Sequence, residues 1–188
     1  MKSILSKILV GAAALLVLSQ SANAGGGTGF YIVPKALMIV GDKTLHNGKD
    51  YDGDAGAGIG IDIGYALTSN FALEVALSYA EADVSHYYYA DGKTYNGDAE
   101  YTTYGIVAVY SRNIIGHLRG FVKFGHAYEY EVIKLSKNGF KDTVNGNVYA
   151  AGIEYGFADN MEVVLEVEHA DVISTRGQGV MLGLKYIF

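Results

Sequence analysis

The stretch Gly58-Ile59-Gly60-Ile61-Asp62-Ile63-Gly64-Tyr65-Ala66-Leu67 decides the fold. Large apolar side chains alternate with small or charged ones at a period of two. That is the repeat of a β-strand, whose successive side chains point to opposite faces, and not of a helix. The glycines at 56, 58, 60 and 64 are spaced G-x-G-x-G with no helix-like segment after them, so they do not form a dinucleotide loop. They read as strand glycines that let neighbouring side chains pack.

The same period recurs on both sides of this stretch. Phe71, Leu73, Val75, Leu77 and Tyr79 alternate with Ala72, Glu74, Ala76, Ser78 and Ala80. Tyr149, Ala151, Ile153, Tyr155 and Phe157 alternate with small residues and Glu154, and Met161, Val163, Leu165 and Val167 alternate with Glu162, Val164, Glu166 and Glu168. The chain closes on Val180, Leu182, Leu184, Tyr186 and Phe188, set against Met181, Gly183, Lys185 and Ile187. Residues 101–111 are apolar on both faces. Residues 117–130 place Val122, Phe124, Tyr128 and Tyr130 opposite Arg119, Phe121, Lys123 and Glu129. Residues 29–40 complete a set of eight strands, with a bulge or late start expected at Pro34, which cannot donate a ladder hydrogen bond. Short connections at 68–70, 112–116 and 158–160 alternate with long ones at roughly 41–55, 81–100, 131–146 and 171–177.

What lies opposite the large apolar face is Gly, Ala and Ser with isolated charges. Small side chains suit the crowded inside of a narrow barrel, and the large apolar ones then face lipid. Strands of about 9–11 tilted residues cross a membrane, and closure leaves no unpaired edge. The expected fold is all-β: an eight-stranded antiparallel up-and-down transmembrane barrel. Tyr65, Tyr79, Tyr104, Tyr110, Tyr155 and Tyr186 fall near strand ends, as an aromatic girdle requires. A secreted lipocalin-like barrel would show the reverse, an apolar cavity and a polar exterior.

Residues 1–24 have the form of a secretory signal peptide: Lys2 and Lys7, an apolar run from Ile8 to Leu18 too short to span a bilayer, and Ala22-Asn23-Ala24 before Gly25. Cleavage after Ala24 is expected, which makes 25–188 the barrel domain. The 188 residues carry a net charge of −6, contrary to the basic charge of a nucleic-acid binder. There is no Cys, so disulfide scaffolds and thiolate metal sites are excluded.

The segments Gly58–Leu67, Phe71–Tyr79 and Met161–His169, with the ending Gly183-Leu184-Lys185-Tyr186-Ile187-Phe188, resemble the OmpA/OmpX-type family of eight-stranded outer-membrane β-barrels. Gly183, Tyr186 and Phe188 match that family's C-terminal assembly signal, while Met181 stands where the family prefers a polar residue. The resemblance implies a Gram-negative outer membrane, both termini periplasmic, long loops at the cell surface, and reading of Tyr186 and Phe188 by the barrel-assembly machinery. With the chain ending at Phe188, the peptidoglycan-binding half of larger members is not expected. A monomer among outer-membrane lipids and lipopolysaccharide is expected.

The inward-facing set holds seven acids (Asp62, Glu74, Glu129, Glu154, Glu162, Glu166 and Glu168) and four bases (Lys35, Arg119, Lys123 and Lys185). Charges inside so narrow a barrel must be paired or hydrated, so a structural plug is expected, with a narrow passive channel for small solutes or ions as the alternative. Arg176, read as a loop residue, is expected to matter far less than Arg119. Asp50, Asp52 and Asp54 begin like a calcium loop, but Ala55 and Ile61 stand where that loop needs Gly and Glu. The histidines lack metal-ligand spacing. A lipid-modifying enzyme is a further alternative, yet His169 is followed at the offset of a catalytic Ser by Asp171. No catalytic residue, cofactor or metal is expected. Tyr87, Tyr88, Tyr89 and Tyr95 make loop 81–100 an expected place for a surface ligand, with loop 131–146 beside it.

Overall fold

The computed structural model describes residues 28–46, 49–136 and 139–188. They form nine antiparallel strands: β1 (Gly29–Ile39), β2 (Lys43–His46), β3 (Lys49–Ala66), β4 (Phe71–Tyr88), β5 (Lys93–Ile115), β6 (Leu118–Leu135), β7 (Phe140–Ala158), β8 (Met161–Ala170) and β9 (Gly179–Ile187). Each pairs with its neighbour in sequence, except that β1 and β2 both pair with β3, β2 continuing the line of β1 past a break at 40–42. β9 pairs with β1 and closes eight staves into a ring. Paired residues traced around the ring from Ile39 run through Gly179, Glu168, Ala150, Lys123, Val109, Ala72 and Ala66 to Gly29, ten residues back on the same strand. An offset of this kind goes with strands tilted at about 40° and an interior that side chains can fill.

The faces divide sharply. Leu73, Val75, Ile106, Phe124, Ile153, Leu165, Leu182 and Leu184 are exposed on the outside, while Lys35, Asp62, Glu74, Lys123, Glu154 and Glu166 are buried inside. The outer apolar belt is edged by aromatics. At the short-turn end Phe30 lies edge-on to Tyr65 with centroids 4.8 Å apart, Phe71 meets Tyr110 at 5.0 Å, and Tyr155 and Tyr186 are exposed in the same zone. Toward the other end Tyr104 stacks on Tyr128 at 5.5 Å. Tyr79 sits there too, its hydroxyl on Glu81.

Three of the four long connections are mostly strand. β4 runs on to Tyr88 and β5 starts at Lys93, so only 89–92 turn; β6 reaches Leu135 and β7 starts at Phe140. The reason is an inversion of the pattern. Beyond Tyr79 the outward set of β4 becomes Glu81, Asp83 and Ser85, and the inward set becomes Ala82, Val84 and His86. Outside the membrane the outer face meets water, so the apolar residues move inside. There Ile39, Tyr51, Val84, Tyr101 and Ile133 form a buried cluster. Pro34 causes neither a bulge nor a late start. β1 begins at Gly29 and its pairing with β3 is unbroken, while the ladder to β9 skips Val33 and Pro34 and resumes in register at Lys35 opposite Gly183. Register shifts occur instead at Gly53/Gly56, Asn113/Ile115 and Gly156/Ala158.

Two lumen glycines lie under aromatic rings from the paired strand. Tyr31 covers Gly64 and Phe121 covers Gly152, and a Cβ at either glycine would run into the ring. Tyr31 then donates its hydroxyl to Glu74 at 2.8 Å. Gly64→Val is expected to cost roughly 1–3 kcal/mol, because the Tyr31 ring must leave its rotamer and release Glu74. Urea unfolding in detergent measures this; a Gly64→Val barrel as stable as the native one would show that the ring is free to move.

Candidate functional site

The lumen carries its charges in three layers. Nearest the short turns, Lys185 Nζ lies 2.6 Å from Glu154 Oε2 and 2.9 Å from Glu162 Oε2. Arg119 donates to the Ser69 carbonyl and the Ser111 hydroxyl, both at 2.6 Å, and stands 3.9 Å from Glu154. These residues line a vestibule of about 1110 Å³ at that end, together with Tyr31, Glu74 and Lys123.

The middle layer closes the inner end of that vestibule. Lys123 Nζ reaches Glu74 at 2.7 Å and Asp62 and Glu166 at 2.8 Å each. Lys35 Nζ approaches Asp62 at 2.7 Å and Glu166 at 3.3 Å from the other side. Two ammonium groups and three carboxylates thus form one connected set, drawn from β1, β3, β4, β6 and β8. Burying such groups is tolerable only with this degree of pairing. Beyond them lies a void of about 30 Å³, bounded by Lys35, Asp62, Thr103 and Glu168, large enough to hold water.

The outer layer is built by the segment 171–178. This connection folds inward, and Thr175 and Arg176 are buried at 0% and 1% exposure. Its backbone docks on the β1–β2 break: Val40 N–H donates to Gln178 O at 3.0 Å, Gly41 N–H to Arg176 O at 3.1 Å and Asp42 N–H to Thr175 O at 2.9 Å. The close approach needs glycine on both sides: a Cβ at Gly177, which sits at φ +68°, would run into the Gly41 carbonyl, and a Cβ at Gly53 would run into the Thr175 carbonyl. Inside, Arg176 Nη2 lies 2.6 Å from Glu168 Oε1 and Nη1 3.4 Å from Glu129 Oε2. Thr175 donates its N–H and hydroxyl to Glu131 Oε1 at 3.0 and 2.6 Å, and its Oγ1 lies 2.6 Å from the Tyr101 hydroxyl.

Asp62, Glu74, Lys123 and Glu166 therefore meet in the middle layer, and Arg119, Glu154 and Lys185 meet nearer the short turns. Glu168 belongs to the outer layer. Arg119 approaches Glu154, while Lys123 takes Glu74 and Glu166. Arg176 corrects the expectation made for it. Its segment is a loop, but the loop enters the lumen, and the guanidinium is more buried than that of Arg119, whose side chain is 26% exposed. Glu131 was missed although it follows Glu129 at the strand period. Arg176 and Thr175 belong to no periodic pattern. Gly183 faces the lumen beside Lys35, the Tyr186 and Phe188 rings meet edge-on at 5.0 Å, and Ala22, Ala24 and Gly25 lie outside the described residues.

The fold has known counterparts. The crystal structure of the outer membrane protein OprG from Pseudomonas aeruginosa superposes with a TM-score of 0.69 at 12% identity, covering 89% of this chain and 99% of that one. Neisserial surface protein A gives 0.59 at 16% identity over 87% and 100%. The attachment invasion locus protein Ail of Yersinia pestis, in complex with the heparin analogue sucrose octasulfate, gives 0.54 at 15% identity over 87% and 100%. No curated protein matches the sequence. The model of the outer membrane protein beta-barrel domain family matches residues 10–188, and the chain belongs to that family.

Proposed function

We propose that this protein is a closed, non-catalytic outer-membrane barrel that acts through its outer hairpins, with both termini periplasmic and residues 1–24 removed as a signal peptide. The observation that carries this reading is the filling of the lumen at three levels, the outermost by a loop folded inward. The three layers serve as a structural plug. Outer-membrane lipids and lipopolysaccharide surround the apolar belt, and a surface partner meets the β4–β5 and β6–β7 hairpins. The β4–β5 hairpin carries Glu81, Asp83, Asp91, Asp98 and Glu100 against Lys93, with exposed Tyr87 and Tyr89. This charge disfavours a polyanion of the kind bound to Ail and favours a cationic partner. Planar-bilayer recording tests the closed lumen: no unitary conductance is expected, and steady channel currents would overturn it. The vestibule of about 1110 Å³ favours the second reading, a narrow passive channel.

The assembly role of the C-terminus gives a separate expectation. Phe188 N–H donates to the Phe30 carbonyl at 3.0 Å, one contact among many that close the ring. Deleting Phe188 is expected to leave refolding from urea into detergent nearly unchanged but to lower sharply the amount assembled in cells. Phe188→Tyr keeps an aromatic at the interface and is expected to assemble normally. Normal cellular levels of the deletion variant would refute the signal.

A further inference from the structure

The three lumen layers differ in where their cations come from. The first two take them from the wall: Arg119 and Lys123 from β6, Lys185 from β9 and Lys35 from β1. In the outer layer the acids Glu129, Glu131 and Glu168 stand on β6 and β8, but the cation that pairs with Glu129 and Glu168, Arg176, arrives on the 171–178 loop, as does Thr175, which holds Glu131. Withdrawing that loop would leave three carboxylates facing one another in the lumen. Glu129 is fully buried, yet its Oε1 has no hydrogen-bond partner, and Arg176 Nε has none either. The seat is therefore one that its present occupant does not saturate.

We propose that Glu129, Glu131 and Glu168 form a cation-binding seat that Arg176 fills from the loop, and that a soluble guanidinium or other N–H-bearing cation takes the same place when the loop is withdrawn. The geometry favours a forked donor. The two terminal nitrogens of Arg176 reach carboxylates on different strands, Glu168 at 2.6 Å and Glu129 at 3.4 Å. Glu131, now held by Thr175, is released as a third acceptor when the loop leaves. Tethering sets the competition. A group on a short linker acts at an effective concentration in the millimolar range, so a free cation displaces Arg176 only above roughly that level. Without the tethered side chain the seat is open, and a ligand that binds only the folded barrel stabilises it by mass action.

The test uses Arg176→Ala in the full barrel, refolded from urea into detergent. Folded yield is read by heat-modifiable gel migration and thermal stability by circular dichroism. Methylguanidinium chloride is compared with tetramethylammonium chloride at equal concentration, the second cation having no N–H to donate. Arg176→Ala is expected to fold poorly or melt early in tetramethylammonium, and methylguanidinium is expected to restore most of the loss. Yield is measured during refolding, so the comparison holds even for a variant that does not fold unaided. Adding Glu129→Gln and Glu168→Gln to Arg176→Ala is expected to abolish the methylguanidinium response. Equal behaviour in the two salts would overturn the proposal, as would an Arg176→Ala barrel of native stability without added cation, or a response that survives both Gln substitutions.

Discussion

Lys123→Met is expected to destabilise the barrel by roughly 3–5 kcal/mol, because it strands the buried Glu74 carboxylate, which pairs with no other cation among the described residues, and halves the pairing of Asp62 and Glu166. Lys123 Nζ holds Asp62, Glu74 and Glu166 at 2.7–2.8 Å. Lys35 contacts two of them, Asp62 and Glu166, so Glu74 would keep only the hydroxyl of Tyr31. Methionine preserves most of the volume, which separates the loss of charge from the opening of a cavity. Urea unfolding in detergent reads the difference, with Lys43→Met as the reference. Lys43 pairs with Asp52 at 3.0 Å, but in an exposed setting where solvent screens the attraction, and no measurable change is expected there. Adding Glu74→Gln to Lys123→Met is expected to recover part of the loss, since a neutral amide tolerates the site better than an unpaired carboxylate. Such a recovery is a coupling between neighbours, which independent sites do not show. Equal stability of Lys123→Met and Lys43→Met would mean that water already screens the middle layer and that the lumen is wet throughout.

Inside the membrane the strands were easy to read, since one physical rule operates there: lipid outside, crowding inside. Ile59, Ile61 and Ile63 against Gly60, Asp62 and Gly64 follow it without exception. Beyond the belt the rule reverses. Glu81 and Asp83 face out because water is outside, while Ala82 and Val84 face in because the hairpins pack on one another. A search for outward apolar residues therefore loses each strand where it leaves the bilayer and reports a long loop. The wall charges were legible for the same reason as the strands: their side of the wall follows from parity. Their grouping was not. Arg119 and Lys123 stand on one face of β6, yet the tilt of the barrel carries them past different strands, to Glu154 in one case and to Asp62, Glu74 and Glu166 in the other. Parity gives the face, while partnership depends on the ten-residue offset around the ring, which no single strand contains.

The loop cation was the least legible feature, and it sets the sharpest ordering of effects. Arg176→Ala is expected to lower stability by roughly 3–5 kcal/mol, the range for breaking a buried pair from one side. Arg119→Ala is expected to cost roughly 1–2 kcal/mol, the scale of its hydrogen bonds to Ser69 and Ser111. The difference lies in what each leaves behind. Without Arg119, Glu154 still has Lys185 at 2.6 Å, and the vestibule admits water to the site. Without Arg176, Glu129 and Glu168 lose the cation that holds them, and Glu129 has no access to solvent. The loop should respond as well. Once Arg176 no longer anchors it, the amides of Gly41 and Asp42, which donate to the Arg176 and Thr175 carbonyls, should exchange their hydrogens faster. Hydrogen exchange in the native barrel, Arg119→Ala and Arg176→Ala would read this site by site. Faster exchange at Gly41 and Asp42 is expected in Arg176→Ala alone. If Arg119→Ala proves the more damaging and those amides stay protected in Arg176→Ala, then backbone docking, not the ion pair, holds the loop in the lumen.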